Sequence, residues 1–357
     1  MNILHVIPNL VKGGAERVTI DLANYQIEQG NNVSILFANL NHSEKNIASL
    51  SKKINLYNVC NSEFNVFMTY FSALKWLLHE RRFLKSFDIV HTHLTFGLIF
   101  GALARLIQPK SAMNRSKFVF TCHLVGMNVR KSLILFTRIN AYFYDSFVIM
   151  AHNPYWDKWI AKNQKFVCVE NGIKPLEVKK CRETSVIRIG SLGRLVKDRK
   201  PELIINLFCE IERVVARTQF VFGGEGPLRS QLQDSLRVSN KENVIEFQGF
   251  LDSPSDFYSN LDFYVTMNVG STTGISGLEA VSVGIPTLAI QLDPFYKCGD
   301  QDWIPSFSSN SHFIQHLQGL IEDKERLRAL AIKQKATFEA HFTVKSMSSK
   351  YETIYSK

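Results

Sequence analysis

The feature that most constrains this chain is a rhythm that runs through it twice. Short runs of β-branched and aromatic residues alternate with longer amphipathic stretches. Ile3–Ile7 reads as a strand and passes through Lys12-Gly13-Gly14 into a helix over Ala15–Gln29. A strand over Asn32–Phe37, a helix near Phe64–Lys85 and a strand over Asp88–Thr92 follow. Leu94–Ile107 (helix), Phe118–Cys122 (strand), Val129–Tyr144 (helix) and Phe147–Ala151 (strand) continue the pattern. After Pro175–Glu183, a stretch with little periodicity, it restarts. Strands are predicted over Ile187–Leu192, Gln219–Phe222, Val244–Phe247, Asp262–Thr266 and Thr287–Gln291. Helices fall over Pro201–Val215, Leu228–Val238 and Ser276–Val283, and near Ser311–Glu322 and Lys324–Phe342. Such alternation builds parallel strands joined by crossover helices. The expectation is an α/β chain of two Rossmann-like doubly wound domains, residues 1–175 and 176–357, facing each other across a cleft. The last helix can pack back on the first domain. Ligands of such sheets sit beyond the carboxyl ends of the strands, so strand-end residues are the ones to search.

The 357 residues are long enough for two cores and ordinary in composition, with 45% apolar and 21% charged residues. No run approaches the roughly 20 apolar residues of a membrane span, and Arg105 stops the nearest one, Phe96–Ala104. The N-terminal apolar run has no basic segment before it, so it reads as a first strand rather than an export signal. Six scattered cysteines without a CxxC pair point to reduced thiols, against a disulfide framework or structural zinc. Charge is uneven. Residues 1–175 hold 20 basic and 10 acidic side chains and residues 176–357 hold 22 of each, which accounts for the net charge of +10. A basic first half suits an anionic partner, such as a phospholipid surface, a pyrophosphate-bearing acceptor or nucleic acid.

Four strand-to-helix junctions carry the chemistry. Lys12-Gly13-Gly14-Ala15-Glu16-Arg17 lets backbone approach a ligand at a helix N-terminus, although it matches neither a Walker loop nor a GxGxxG fingerprint. Gly193-Arg194-Leu195-Val196-Lys197-Asp198-Arg199-Lys200-Pro201 concentrates cations where a diphosphate could be held, with guanidinium groups suited to bidentate contact. Gly223-Gly224-Glu225-Gly226-Pro227-Leu228 reads mainly as a tight structural turn. Gly270-Ser271-Thr272-Thr273-Gly274-Ile275-Ser276-Gly277-Leu278-Glu279 leads free amides into a helix, with Glu279 expected in its first turn and able to accept from hydroxyls such as those of a ribose. Among the histidines, His91, His93 and His123 fall at strand ends. A satisfied structural role is the default for the first two, whereas His123 follows the cleanest strand and can meet a reacting group. Asp300-Gln301-Asp302 has the form of a metal-binding DxD, but it lies in a Cys-Gly-Asp-Gln-Asp-Trp loop rather than after an apolar strand, which argues against a metal there.

Together these segments resemble the family 4 retaining glycosyltransferases, over essentially the whole chain. Asp88-Ile-Val-His91-Thr-His93, Glu170-Asn171-Gly172-Ile173, Phe247-Gln-Gly249-Phe250 and Leu278-Glu279 through Gly284-Ile-Pro286 carry the resemblance with the junctions above. It implies the two-Rossmann B-type fold (GT-B) and transfer of a sugar from a nucleoside diphosphate sugar, here expected to be a UDP-sugar, with retained anomeric configuration. No cofactor and no metal are expected; the nucleotide sugar is the co-substrate. By position, Arg194 and Arg199 match the cations that hold the donor diphosphate, Glu279 the carboxylate on the ribose, and Phe250 the place where the base is contacted. His123 matches the histidine beside the donor sugar, and Gly14 the loop beside the diphosphate. Ser271, Thr273, Gly274, Ile275, Ser276 and Leu278 complete the expected donor-binding set.

One departure stands out: the family usually carries a second Glu eight residues before the ribose Glu, and Ser271 occupies that place. With no clear enzymic nucleophile, the expected chemistry is a front-face reaction in which the leaving phosphate helps to deprotonate the acceptor. The expected acceptor is a lipid-linked glycan in surface polysaccharide or lipopolysaccharide synthesis. The enzyme would be cytoplasmic and peripheral on the inner face of the plasma membrane, with residues 127–144 as a contact and nucleic acid excluded as a partner. A sugar-nucleotide epimerase on the same fold and a catalytically silent nucleotide-sugar binder are the alternatives.

Overall fold

All strand pairings among the described residues are parallel, and they form two separate sheets. The structure, a computed structural model, describes residues 1–11, 13–39, 42–60, 66–80, 82–107, 116–123, 131–150, 165–178, 185–251, 253–268, 274–291 and 303–356. The first sheet contains β1 (Asn2–Ile7), β2 (Asn32–Phe37), β3 (Asn55–Asn58), β4 (Ile89–His93), β5 (Lys117–Cys122), β6 (Ser146–Ile149) and β7 (Phe166–Cys168). Their spatial order is β3-β2-β1-β4-β5-β6-β7, so the order switches direction between β1 and β4. The crossover helices are α1 (Gly14–Glu28), α2 (Glu44–Ala48), α3 (Val66–His79), α4 (Leu94–Ile107) and α5 (Lys131–Ala141).

The second sheet contains β8 (Ile187–Leu192), β9 (Thr218–Gly223), β10 (Ile245–Gly249), β11 (Phe263–Asn268), β12 (Thr287–Gln291) and β13 (Ser306–Phe307), in the order β10-β9-β8-β11-β12-β13. Here the direction switches between β8 and β11. The helices are α6 (Pro201–Val214), α7 (Arg229–Val238), α8 (Ser255–Ser259), α9 (Ile275–Ser282), α10 (Asn310–Glu322), α11 (Lys324–His341) and α12 (Val344–Ser356). Both halves are therefore Rossmann-like.

The chain divides into two compact units, Met1–Ile173 with Thr343–Lys357, and Lys174–Phe342. It leaves the first unit after Ile173 and returns at Thr343, and these two residues pair in a parallel bridge. Gly172 is required there, because a Cβ would lie 2.2 Å from the Thr343 carbonyl oxygen. Val344, Met347, Tyr351, Ile354 and Tyr355 are the buried large residues of α12, spaced as one helical face.

Strand pleating gives the first sheet two unlike faces. Leu4, Val6, Val90, Phe118, Phe120 and Cys122 belong to an apolar core with residues of α4 such as Phe96, Phe100 and Ala104. The alternate residues His5, His91, His93 and Thr121 are also buried, but they are polar. Register aligns them: His5 is paired with His91, and His93 with Thr121. The second unit has a continuous aliphatic and aromatic core in which Ile189, Phe208, Phe220, Val265 and Leu288 meet.

Sequence reading did not anticipate β3, β7, β13, α2 or α8, and it ended its last helix at Phe342 without anticipating α12. Apart from α12, the omitted strands and helices run from two to five residues, too short for a period to register.

Candidate active site

At the carboxyl ends of β1, β4 and β5, beside the first switch point, four histidines belong to one hydrogen-bonded network, three of them in a direct chain. His5 Nε2 contacts Gln26 Oε1 at 2.7 Å, His5 Nδ1 contacts His93 Nε2 at 3.0 Å, and His93 Nδ1 contacts His123 Nε2 at 3.2 Å. A second branch starts from the other end of the same amide. Gln26 Nε2 donates to the Tyr355 hydroxyl at 3.3 Å, Tyr355 contacts His91 Nδ1 at 2.8 Å, and His91 Nε2 contacts Thr121 Oγ1 at 2.7 Å. Thr121 Oγ1 is shared with the Tyr351 hydroxyl at 2.8 Å. Residues two apart on a strand face the same way, so the His91-Thr-His93 spacing puts both rings under α1 and α12.

Burial keeps these rings neutral. Desolvation lowers His5 and His123 to about 4, and it pushes His91 and His93 well below the ordinary histidine value, with neighbouring rings adding to the effect. One ring nitrogen from each of His5, His91 and His93 lies within 4.8 Å of the others, a spacing that could admit a metal ion. The donor set argues otherwise, because all six ring nitrogens already meet hydrogen-bond partners. His123 is only partly buried, yet its Nδ1 is sealed and without a partner among the described residues. The ring also borders a cavity of about 30 Å³ lined by Leu94, Leu98, Phe120, Cys122 and Thr137, with room for a single water-sized group. Directly after His93, Leu94 adopts φ 59°, a left-handed turn that starts α4 with no intervening loop. Gly14, the first residue of α1, is exposed, and its helix begins at Gly13 without a side-chain cap.

The second unit builds its strand ends from glycines and exposed cations. The loop after β8 carries Arg194 and Arg199, both exposed. Local desolvation by neighbouring atoms and the positive charge of Arg194 lower the Arg199 guanidinium from its ordinary value, and Asp198 partly offsets this. Lys200 takes φ 44° and ψ 50° immediately before Pro201 opens α6, so the loop turns sharply at its most basic point. Its backbone is interlocked with the loop after β9. Gly193 N–H donates to the Gly223 carbonyl at 3.0 Å, and Leu195 N–H to the Glu225 carbonyl at 3.0 Å. Gly224, at φ +123°, could not carry a Cβ, which would fall 1.9 Å from the Gly193 carbonyl oxygen. The Gly223–Leu228 turn is therefore the mould that shapes the arginine loop.

On the other side of this switch point, α9 starts at Ile275 with Gly274 as its N-cap and no capping side chain. The Ile275 and Ser276 amides belong to its open first turn, where backbone N–H groups lack helical acceptors. Glu279 is the fifth helical residue, one residue further in than expected and just past the first turn, because the helix begins one residue earlier than the sequence suggested. At that depth the helix dipole does little for the carboxylate. Tyr258 holds it instead: its buried hydroxyl lies 3.0 Å from Glu279 Oε2 and 2.8 Å from the Ser276 carbonyl oxygen. Burial raises Tyr258 well above the usual tyrosine value, with Tyr264 and Glu279 adding to the shift. Tyr264 in turn bonds both the N–H and the carbonyl of Leu192, each at 3.1 Å. Leu278 is buried behind α9, and Phe250, half exposed, follows Gly249 at the end of β10.

Arg194, Arg199, Gly274, Ile275, Ser276, Leu278, Glu279 and Phe250 thus lie beyond strand ends of one sheet, and His123 and Gly14 beyond strand ends of the other. Ser271, Thr273, the Asp300-Gln-Asp302 segment and Lys12 lie outside the described residues. His5, Gln26, Tyr258, Tyr264, Tyr351 and Tyr355 were not anticipated. For His5 the signal was available, since it is a polar residue between apolar neighbours, two residues before the end of β1.

Sequence comparison decides the family. The Glycosyltransferase Family 4 profile matches residues 12–175, and the Glycosyl transferases group 1 profile matches residues 186–323. The chain is a family 4 glycosyltransferase. Among relatives of this glycosyltransferase, the O-antigen biosynthesis glycosyltransferase WclY of Escherichia coli is 25% identical over 291 residues, covering 76% of this chain and 80% of the relative. Solved structures share its GT-B fold at low identity. HepE of Anabaena, in complex with UDP and glucose, gives a TM-score of 0.74 at 14% identity, covering 99% of both chains. The lipopolysaccharide outer core galactosyltransferase WaaB in its apo form gives 0.70 at 16% identity, covering 100% of this chain and 99% of the other. No helix among the described residues is long and apolar enough to cross a membrane.

Proposed function

We propose that this glycosyltransferase moves a sugar from a nucleoside diphosphate sugar, a UDP-sugar in the first instance, to a lipid-linked glycan during surface-polysaccharide synthesis of the O-antigen type. The observation that carries the reading is the pairing, at one switch point, of the Arg194–Arg199 loop with the open first turn of α9 and its tethered Glu279. Two cations and bare amides suit a diphosphate, and a carboxylate positioned by the Tyr258 hydroxyl suits ribose hydroxyls. Anomeric configuration is retained by front-face departure and attack, with the leaving phosphate taking the acceptor's proton and no metal involved. Arg194 and Arg199 stabilise the charge that develops on the diphosphate. His123 stands beside the donor sugar. The UDP and glucose of the HepE complex and the O-antigen assignment of WclY support this donor and acceptor class.

The acceptor's lipid places the enzyme at the inner face of the plasma membrane. Leu135, Phe136, Ile139 and Tyr142 are all exposed and lie at the spacing of one face of α5 and the turn after it, and Met68, Phe71, Leu74 and Leu78 are exposed on α3. In a half of the sequence with net charge +10, such residues suit insertion among anionic headgroups.

The test is a panel of nucleotide sugars screened for thermal stabilisation, followed by turnover and NMR of the product's anomeric carbon. Stabilisation by one donor and a retained configuration are expected; inversion would refute the mechanism. Flotation with anionic liposomes at low salt tests the membrane contact, which fails if the protein stays unbound. The Ser at position 271 favours a second reading, a binder without turnover, which donor stabilisation with no product would select.

A further inference from the structure

The chain Gln26–His5–His93–His123 ends on an atom without a partner among the described residues, and its direction can be worked out from the other end. The Gln26 amide oxygen takes the proton of His5 Nε2, which leaves His5 Nδ1 as a lone pair. His93 fills that lone pair with its Nε2–H, and His93 Nδ1 then accepts from His123 Nε2–H. The result is a bare, buried lone pair on His123 Nδ1. Turning the Gln26 amide over would reverse every proton and bury an N–H at His123 without an acceptor, which is rarer in proteins than an unfilled acceptor. The second branch obeys the same polarity. The amide NH2 of Gln26 donates to Tyr355, Tyr355 to His91 Nδ1, and His91 Nε2–H to Thr121.

We propose that Gln26, His5 and His93 are positioning residues that lock His123 as its Nε2–H tautomer, so that Nδ1 is offered as an acceptor to a hydroxyl of the donor sugar. This deepens, and rests on, the reading of His123 as the group beside that sugar. The ligand chemistry is a neutral polyol. A hydroxyl proton completes Nδ1, and a neutral ring spares the developing sugar cation a nearby positive charge. An unconstrained imidazole would exchange tautomers and present an N–H for part of the time, so the chain sharpens the site by removing the wrong form.

The experiment uses the whole protein with ¹⁵N-labelled histidines, and long-range ¹H–¹⁵N correlation at neutral pH reads each tautomer. The His123 signal is assigned with His123→Ala. In the wild type, His5, His93 and His123 are expected to carry protons on Nε2 only. His93→Phe keeps the volume and removes both bonds; His123 should then show mixed tautomers, and kcat should fall about ten-fold with a smaller change in donor KM. His93→Gln, which supplies a donor and an acceptor, should restore the single tautomer and most of kcat. An Nδ1-protonated His123 in the wild type, or a His93→Phe enzyme with unchanged tautomer and kcat, overturns the positioning role and leaves the site reading standing. Undiminished turnover by His123→Ala overturns the site reading itself.

Discussion

The strand ends of the two units solve opposite electrostatic problems. In the first, four imidazoles belong to one hydrogen-bonded network, three of them buried and the fourth partly so. In the second, guanidinium groups stand in solvent on a loop whose shape is fixed by glycines of the next loop. Buried, neutral and mutually bonded groups hold geometry, because leaving any of them unpaired is expensive. Exposed cations hold nothing together and are available to a charged ligand. The contrast separates a half whose polar residues define positions from a half whose polar residues stand open to a ligand.

The largest expected effect that tests this contrast is on stability in acid. Unfolded histidines take up protons near their ordinary value of 6.5, whereas folded His5 and His123 do so only near 4. Stability is therefore full above about pH 6.5 and falls as the pH drops toward 4, because the unfolded chain binds protons that the folded chain refuses. The loss is about 3 kcal/mol per ring at its upper end. Pulse proteolysis in urea with mapped cleavage sites should show the first unit failing between these values while the second holds. Equal loss in both units would break the comparison.

Next comes Arg194→Ala, expected to reduce donor turnover about 100-fold, or about 3 kcal/mol, with little change in thermal midpoint. Full activity would remove the diphosphate assignment. Tyr355→Phe takes the hydroxyl from between His91 and Gln26 and should destabilise the protein by about 2 kcal/mol in urea titrations, while donor KM stays near wild type. Tyr258→Phe removes the hydroxyl bond to Glu279 and is expected to raise donor KM only several-fold, by about 1 kcal/mol. If Tyr258→Phe cost more in binding than Arg194→Ala, the carboxylate rather than the cations would dominate the second unit's grip.

Much of the fold was legible because its signals are local. Asn32–Phe37, Leu94–Ile107, Ile187–Leu192 and Thr287–Gln291 begin and end where hydrophobic period alone puts them. The short edge strand β3, Asn-Leu-Tyr-Asn, has too little apolar content to announce itself, and it forms because β2 offers it a paired register. Glycine-rich junctions and arginines could be read because their chemistry lies in consecutive residues. The histidine chain could not: His5 and Gln26 are 21 residues apart, and His91 and Tyr355 are 264 apart, so only the sheet register and the docking of α12 bring them together. Glu279's tether was hidden for the same reason, since nothing in Asp256-Phe-Tyr258 indicates which carboxylate that tyrosine will meet.

Because α12 lies beyond the entire second unit in the sequence, a ribosome must translate Lys174–Phe342 before the pieces that cap His91 and Thr121 exist. During that interval the nascent first unit has a sheet with its histidine face uncovered. Tyr351 and Tyr355 then act as a late closing stitch, and a growing chain stalled short of residue 344 would depend on chaperones to shield that face.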